Sequence, residues 1–254
     1  MKKTLLPLLL CLGVSFAVVP VIKAGSRSAT TISAGIANAT APGDSLATVT
    51  EAAPTAEAAA AELYHSLELD RLGLSFDAMK YAWKGFQELQ EQGAVPNDAI
   101  LTVIDFSQPS SKKRMYILDV RNKQVLYNTY VAHGKNSGLQ YAERFSNRHE
   151  SLQSSLGFYV TKGTYFGKHG LSLRLAGQEE GFNSNAESRA VVVHGAEYIG
   201  SSRADAAFMG RSFGCPAVPQ AQSATVINMI KNGTALFIYH PSQTYIHGSK
   251  LLNS

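Results

Sequence analysis

Short strand patterns separated by glycine-containing or polar turns fill the chain between residues 100 and 239, and they constrain the fold more than any other feature. Residues 171–175 alternate strictly between apolar and polar side chains, as a half-buried strand does. The intervening helical patterns are too few for a repeated βαβ unit, so we expect a mainly β (α+β) fold, a sandwich or barrel with helical additions. The predicted strands are 101–106, 115–120, 125–131, 158–161, 165–166, 171–175, 191–193 and 235–239, with Gly163 in a turn between the fourth and fifth.

Helical periodicity is confined to the start of this region and to one later segment. Residues 56–69 and 76–92 carry apolar stripes at helical spacing, and Ser75 is placed to cap the second helix. A further short helix is predicted over residues 220–231. The aromatic side chains of the second helix are expected to pack against a core rather than to form a sugar-binding face.

The first 61 residues differ in composition from the rest. Residues 1–24 combine a basic start, an apolar run and a small-residue end, which is the pattern of a cleaved secretory signal; a retained membrane anchor is the alternative. Residues 25–61 are rich in Ala, Ser and Thr and predict a flexible tether. The remaining domain is predicted over residues 62–254, with a helical extension over 62–95.

The basic character of the chain comes from its N-terminus. The net charge is +4, but three of the 23 basic side chains lie in the first 24 residues, which contain no acidic residue. Without that segment the balance is close to neutral, so no basic stripe remains for a nucleic-acid backbone. We therefore expect no nucleic-acid partner. After signal removal we also expect no stable membrane insertion.

A single thiol remains once the signal is removed, because Cys11 lies within it. Cys215 then has no partner for an intramolecular disulfide, and an exported chain exposes a lone thiol to oxidation unless the thiol has a use. A buried cysteine acting as a small apolar residue is the alternative. Gly214 and Pro216 on either side argue against a regular strand or helix at this point.

An imidazole stands about twenty residues before this thiol. His194 is predicted at the end of strand 191–193, with Gly195 allowing a sharp turn, and it has the pKa range of a general base. Together with Cys215 it forms a candidate pair for nucleophilic acyl transfer. Backbone N–H groups around Gly214 and Cys215 are candidates for an oxyanion hole, and Ser212 is either an orienting group or a turn hydroxyl.

Several segments in order resemble the YkuD-type murein L,D-transpeptidase catalytic domain family, over about residues 74–241. The segments that carry the resemblance are LTVIDFSQPSSKKRMYILDV, NTYVAHGKNSG, SSLGFYVTKGTYFGKHGLSLRL, VVVHGAEYIG and GRSFGCPAVP. The resemblance implies a mixed β-sheet catalytic domain that acts on peptidoglycan stem peptides in the periplasm or cell envelope, without a metal or other cofactor.

The resemblance also implies roles for individual residues. Cys215 would attack the stem peptide to form a thioester and release D-Ala, with His194 as general base and acid. The carbonyl of Gly195 would hold the imidazole tautomer, and the N–H groups of Gly214 and Cys215 would bind the oxyanion.

Two positions depart from the wider family. Phe213 and Ala217 stand where that group typically has His and often Arg, so the usual cation for a substrate carboxylate is missing. We expect Arg211, or Lys168 with His169, to replace it. Ser212 is a further candidate for substrate binding.

Three alternatives stay open at the level of sequence. Water in place of an amine acceptor would make the protein an L,D-carboxypeptidase, and a vestigial pair would make it a non-catalytic envelope-binding domain. A zinc site built from Cys215, His194 and either His169 or His133 lacks the close ligand spacing of known metal patterns. His133 is otherwise a weaker site candidate or a structural histidine.

Overall fold

Residues 55–254 are those that the computed structural model describes, and within them the chain forms an eight-stranded mixed sheet with four α-helices. The helices are α1 (Ala56–Ser66), α2 (Phe76–Glu91), α3 (Ser223–Ile230) and α4 (Gln243–Gly248). The strands are β1 (Ile100–Asp105), β2 (Met115–Asp119), β3 (Gln124–Thr129), β4 (Gly157–Gly167), β5 (Gly170–Gly177), β6 (Val192–Ala196), β7 (Ala217–Pro219) and β8 (Ala235–Tyr239).

The sheet has the strand order β3-β2-β1-β8-β4-β5-β6-β7. The β1–β8 and β6–β7 pairs are parallel and the other neighbours are antiparallel. The chain that leaves β3 reaches the opposite edge, where Ala132 bridges to Ala217 and Gly134 to Ser212. These bridges bring the sheet close to a barrel, and the predicted mainly β fold with N-terminal helices is confirmed.

Helix α2 packs directly on the sheet because one of its residues has no side chain. A Cβ atom at Gly85 would stand 2.3 Å from the ring of Phe158, which stacks on Phe237 of β8 with 4.2 Å between ring centroids. Phe86 and Leu89 on the same helix are buried. Burial of each side chain of this size contributes about 1.5–3 kcal/mol to the stability of the fold. These residues belong to the larger of the two apolar clusters, which is the main core.

The helix predictions hold with small shifts. Ser75 accepts a hydrogen bond from the N–H of Ala78 at 3.2 Å, which confirms it as the cap of α2. The predicted signal peptide (1–24) and residues 25–54 of the predicted tether lie outside the described residues. Residues 56–61, which composition placed in the tether and periodicity placed in a helix, form the start of α1, because Thr55 caps that helix and Ala60 is buried.

Two strand predictions are wrong. Residues 157–167 form one strand, β4, in which Gly163 lies at a bulge, and the hairpin turn lies at Lys168-His169. Strand β5 pairs with β4 on both sides of the bulge, and this pairing cannot be read from the local sequence. Strand β6 also extends through His194 and Gly195 to Ala196, so these residues lie within a strand and not at its end.

Candidate active site

The thiol and the imidazole are brought together by two neighbouring parallel strands. His194 of β6 is in register with Ala217 of β7, and Cys215 lies two residues before Ala217. A small apolar cluster that includes Ala196, Ala217 and Met209 packs beneath these two strands. The strand pairing and this cluster hold the two chemical groups on the same edge of the sheet.

A hydrogen-bonded turn shapes the backbone before the thiol. The Ser212 hydroxyl donates to the carbonyl of Cys215 at 2.6 Å and accepts from the N–H of Gly214 at 3.1 Å. Gly214 has φ +123°, and a Cβ atom there would meet the Gln153 carbonyl oxygen at 2.8 Å, so a larger residue would strain the turn. Because the Gly214 N–H is used inside the turn, the Cys215 N–H is the better candidate to bind an oxyanion.

The Cys215 sulfur lies against the segment that leads into β6. The thiol donates to the carbonyl oxygen of Ala190 at 3.7 Å, and Ala190 has the unusual φ of +54° for a residue with a side chain. Burial raises the pKa of the Cys215 thiol, while the Val192 N–H and the charges of Arg189 and Lys168 partly offset this. The resting sulfur is therefore a thiol that needs a base.

His194 is the candidate base, and its ring is held in one tautomer. Its Nδ1–H donates to the carbonyl oxygen of Gly195 at 2.8 Å, which leaves Nε2 as the nitrogen that can accept a proton. Burial lowers the pKa of His194, the Gly195 hydrogen bond raises it, and the nearby His169 and Lys168 lower it further. The His169 ring stacks on that of His194 with 4.3 Å between centroids. Within residues 55–254 no hydrogen bond joins Cys215 to His194.

Gly195 has a packing role in addition to its carbonyl. A Cβ atom at this position would lie 2.5 Å from Gln220 Oε1 and 2.8 Å from Ser223 Oγ. The glycine therefore lets the start of α3 approach β6, which is a different reason from the sharp turn expected from the sequence.

One pocket of about 480 Å³ collects most of the predicted side chains. Its described lining residues include three cations and two histidines but no carboxylate, so the pocket favours an anionic ligand. The predicted site residues that line it are Cys215, His194, Ser212, Arg211, Lys168 and His169. Gly195 and Gly214 are the chain neighbours of His194 and Cys215 and do not themselves line the pocket.

The two predicted cations differ in how they are held. Arg211 donates from Nη1 to the carbonyl oxygens of Lys135 at 2.8 Å and Gly138 at 3.2 Å, and its guanidinium lies over the Phe208 ring. Lys168 is exposed at the β4–β5 turn, and no ion pair within the described part of the chain engages it. Lys168 is therefore the more available of the two for a ligand.

His133 lies outside this pocket. Its ring is fully buried, with Arg114 Nη2 at 2.8 Å from Nδ1 and the Gly138 carbonyl oxygen at 3.4 Å from Nε2. Both ring nitrogens thus have partners. The geometry makes His133 a structural residue, which was one of the two readings that the sequence allowed.

Several lining side chains are not among the predicted site residues, and three of them stand out. Arg189 and Tyr198 face the same space as Cys215, and Phe213, where the wider family typically has His, is 65% exposed beside the Lys135 ammonium, which lies 4.7 Å from the ring centroid. Arg189 was detectable only as a basic residue shortly before the strand of His194. Its neighbours come from a distant loop.

Among residues 55–254, no helix is both long and apolar enough to span a bilayer. In the same part of the chain, no three His, Cys, Asp or Glu side chains are grouped so that they could hold a metal ion.

Comparison with known proteins gives a family match and several partial structural matches. Residues 70–239 match the sequence profile of the L,D-transpeptidase catalytic domain. An L,D-transpeptidase from Mycobacterium smegmatis aligns at 14% identity with a TM-score of 0.35, over 56% of this chain and 59% of that one. L,D-transpeptidase 3 from Mycobacterium tuberculosis aligns at 10% identity with a TM-score of 0.36, over 56% of this chain and 61% of that one. No curated protein matches the chain.

Proposed function

This chain belongs to the L,D-transpeptidase catalytic domain family, and on that premise we propose that it is a cysteine-dependent transpeptidase of cell-wall peptidoglycan. The observation that carries the proposal is the pocket in which Cys215 and the Nε2 side of His194 meet on paired strands, among cations and without a carboxylate. A nucleophile, a base with a fixed tautomer and a site for an anionic substrate are the parts that acyl transfer requires.

Acylation of the enzyme is the first half of the proposed reaction. His194 Nε2 takes the proton of the Cys215 thiol as the sulfur attacks the carbonyl carbon that precedes D-Ala in a tetrapeptide stem. The Cys215 N–H donates to the oxyanion that develops on that carbonyl. The carbon–nitrogen bond to D-Ala then breaks, the leaving amine takes the proton from His194, and a thioester remains on Cys215.

Deacylation reverses the roles with a new acceptor. An amine of a second stem gives its proton to His194 and attacks the thioester carbonyl, so that an amide forms and the Cys215 thiol is restored. The absence of a hydrogen bond between Cys215 and His194 among residues 55–254 fits a pair that tightens only when substrate is bound. If water takes the place of the amine, the same residues perform the L,D-carboxypeptidase reaction.

Recognition of the substrate carboxylate is assigned to the exposed side of the pocket. Lys168 carries a charge that no described residue neutralises, and His169 is next to it in the same turn. Arg211 has Nη1 occupied by two carbonyl oxygens, so it contributes long-range attraction more than a direct contact. These groups take the place of the cation that is missing at Ala217.

Intact-mass spectrometry tests the reaction directly. The mature protein is mixed with a tetrapeptide stem fragment, beside Cys215→Ser as a matched control. We expect a mass increase equal to the tripeptide acyl group in the unaltered protein only, with release of D-Ala. Adding an amine acceptor should discharge the adduct into a cross-linked product. Neither adduct nor D-Ala release from either protein would favour a non-catalytic envelope-binding domain.

The cation assignment has its own test. Lys168→Met should raise the KM for the acyl donor by about tenfold and leave kcat little changed, because the substitution removes a contact that binds the substrate equally in the ground state and the transition state. Lys231→Met, at the C-terminal end of α3 and outside the pocket, is the matched control. Unchanged KM in both Lys168→Met and Arg211→Met would contradict the assignment.

The location of the protein follows from this function. Peptidoglycan lies outside the cytoplasmic membrane, so the proposed signal over residues 1–24 would deliver the domain to the periplasm or cell envelope. N-terminal sequencing of the secreted protein tests the proposal; a first residue at Gly25 supports cleavage, and an intact N-terminus in the membrane fraction indicates an anchor.

A further inference from the structure

Arg189 is the one pocket cation whose side chain is fully held in place by the protein. Nη1 donates to the carbonyl oxygen of Ser146 at 2.7 Å and to the hydroxyl of Ser155. Nη2 donates to the hydroxyl of Ser151 at 3.2 Å and to the carbonyl oxygen of Gln153 at 2.7 Å. The four donors on the two terminal nitrogens are thus used, which leaves little of the guanidinium for a bidentate contact with substrate.

All four partners are neutral. No ion pair between Arg189 and a carboxylate is present within residues 55–254. The charge is half-buried; burial lowers the pKa of Arg189, while Tyr159 and then the Cys215 sulfur raise it. Partial burial of a cation that has only neutral partners has a desolvation cost, which suggests that the charge has a use.

The charge is held next to the nucleophile. Nη2 of Arg189 lies 3.4 Å from the position that a Cβ atom would take on Gly214, the residue before Cys215. Two residues of the following segment also contact the sulfur, because the Ala190 carbonyl accepts from the thiol and the Val192 N–H donates to the sulfur. The segment that begins at Arg189 therefore lines one whole side of the sulfur.

We propose that Arg189 is a positioning residue that holds a fixed positive charge beside Cys215 and stabilises the sulfur whenever it is negatively charged. The sulfur carries this charge during attack on the stem peptide and again when the thioester is broken. The role rests on the proposed transpeptidase function. It is separate from substrate recognition, since the guanidinium donors are already occupied. A fixed cation needs no reorganisation at the moment of reaction, which is the condition for effective electrostatic stabilisation.

Other charged and titratable groups face the same pocket from different elements. Tyr165 lines it from β4, Lys168 and His169 from the β4–β5 turn, His194 from β6, and Tyr198 and Arg211 from the loop between β6 and β7. Lys168 is exposed, so its effect on the sulfur is screened by solvent, and Arg211 is tied to carbonyl oxygens of the 135–138 segment. Arg189 is the cation whose position depends least on solvent or substrate.

Alkylation of Cys215 by iodoacetamide over a range of pH tests the proposal without any peptidoglycan substrate. In Arg189→Met the midpoint of the alkylation profile should move up by about one pH unit, because an opposite charge near a group of this kind shifts its pKa by about 1–3 units. Arg189→Lys keeps a cation and should move it by much less. Ser151→Ala keeps the charge, removes one hydrogen bond from the guanidinium, and should leave the midpoint unchanged.

Three results would overturn the proposal. The first is an unchanged midpoint in a folded Arg189→Met, and the second is an equal shift in Arg189→Lys and Arg189→Met. The third is an equal shift in Ser151→Ala and Arg189→Met, which would make Arg189 a structural support of the 146–155 loop only. If Arg189→Met does not fold, anionic and cationic methanethiosulfonate reagents on the unaltered protein and on Arg189→Lys replace it. The unaltered protein should react several-fold faster with the anionic reagent, relative to free cysteine, and no preference would overturn the proposal.

These outcomes are independent of the proposed reaction. A shifted alkylation midpoint in a protein that forms no acyl-enzyme would keep the role of Arg189 beside the sulfur and reject the transpeptidase function. An acyl-enzyme that forms at the same rate with and without Arg189, at every pH, would keep the function and reject the role.

Discussion

Two His-Gly pairs in this protein look alike in the sequence and have opposite surroundings in the structure. The ring of His133 is enclosed on both sides, by Arg114 at Nδ1 and by the Gly138 carbonyl at Nε2. The ring of His194 is also almost fully buried, but among residues 55–254 only Nδ1 has a hydrogen-bond partner, and the ring lines the pocket that contains Cys215. Burial therefore does not separate them; a free nitrogen that faces a cavity does.

The two regions are nevertheless connected. The backbone of His133 accepts from the Ser212 N–H at 3.0 Å, and the Lys135 N–H donates to the Ser212 carbonyl at 2.8 Å. The buried Arg114–His133 pair thus lies under the turn that presents Cys215. His133 therefore supports the frame of the site, and His194 lines its pocket.

The largest expected difference between the two histidines is in rate. His194→Gln should lower acyl-enzyme formation by about a thousandfold, because general-base catalysis of this kind contributes about 10²–10⁴-fold. His133→Gln should stay within a few-fold of the unaltered protein when rates are corrected for the folded fraction. Mass-spectrometric rates for both variants check this, and similar losses in the two would erase the distinction.

A stability difference is expected at the partner of His133. Arg114→Met should lower the free energy of unfolding by about 3 kcal/mol, because it leaves several buried acceptors without a donor. Those acceptors are the Val131 and Gln108 carbonyl oxygens and His133 Nδ1. The exposed Arg71→Met is the matched control, expected within about 1 kcal/mol. Urea unfolding measures both, and equal values would contradict a buried supporting role.

The pH dependence of stability should also separate the two regions. Burial and the charge of Arg114 lower the pKa of His133 to about 3 in the folded chain, against 6.5 for the ordinary group. The unfolded chain therefore binds the proton first, so this stability is present above pH 6.5 and is lost as the pH falls towards 3. At pH 4.5 the loss is about 2–3 kcal/mol by linkage. His133→Gln should lose less stability between pH 7.5 and 4.5, and parallel curves would contradict this.

The pH dependence of the rate should report His194 and Cys215 instead. Burial lowers the pKa of His194 below 6.5 and raises that of Cys215 above 9.0. The neutral base is therefore present above an acid limb centred below pH 6.5, and the rate falls on an alkaline limb centred above pH 9. Each limb changes the rate by about tenfold per pH unit beyond its midpoint. An acid limb centred above 6.5 would indicate a different base or an ion pair at rest.

The smallest expected effect lies in the turn that joins the two regions. Ser212→Ala removes one hydrogen bond to Gly214 and one to Cys215, and it should cost about 1 kcal/mol of stability. Acyl-enzyme formation should fall by about tenfold, because the thiol is less well placed. The exposed Ser188→Ala is the matched control. A change in stability without a change in rate would show that the turn hydroxyl is structural only.

Local sequence patterns correctly predicted the features that depend on residues close together in the chain. The alternation in 171–175, the cap at Ser75 and the periodicity of α2 all appear as expected, since these features depend on contacts within a few residues. The continuous strand β4 was missed because its bulge at Gly163 looks like a turn until the pairing with β5 is known. Short β7 was missed for the same reason: three residues become a strand only through their pairing with β6.

The amino-acid sequence by itself determined the chemical groups that the site can use, which are a thiol, the imidazoles of His133, His169 and His194 and several cations. It also determined a mainly β framework from short-range pattern. Tertiary structure decided which groups meet. In the folded chain, Arg114 contacts the buried ring of His133, whereas Nε2 of His194 has no hydrogen-bond partner among residues 55–254. The Gly214 N–H donates within the turn, and Arg189 lines the same pocket as Cys215. The physical reason is that each of these outcomes depends on hydrogen bonds and burial between segments far apart in the chain, and such partners leave no periodic mark on the sequence.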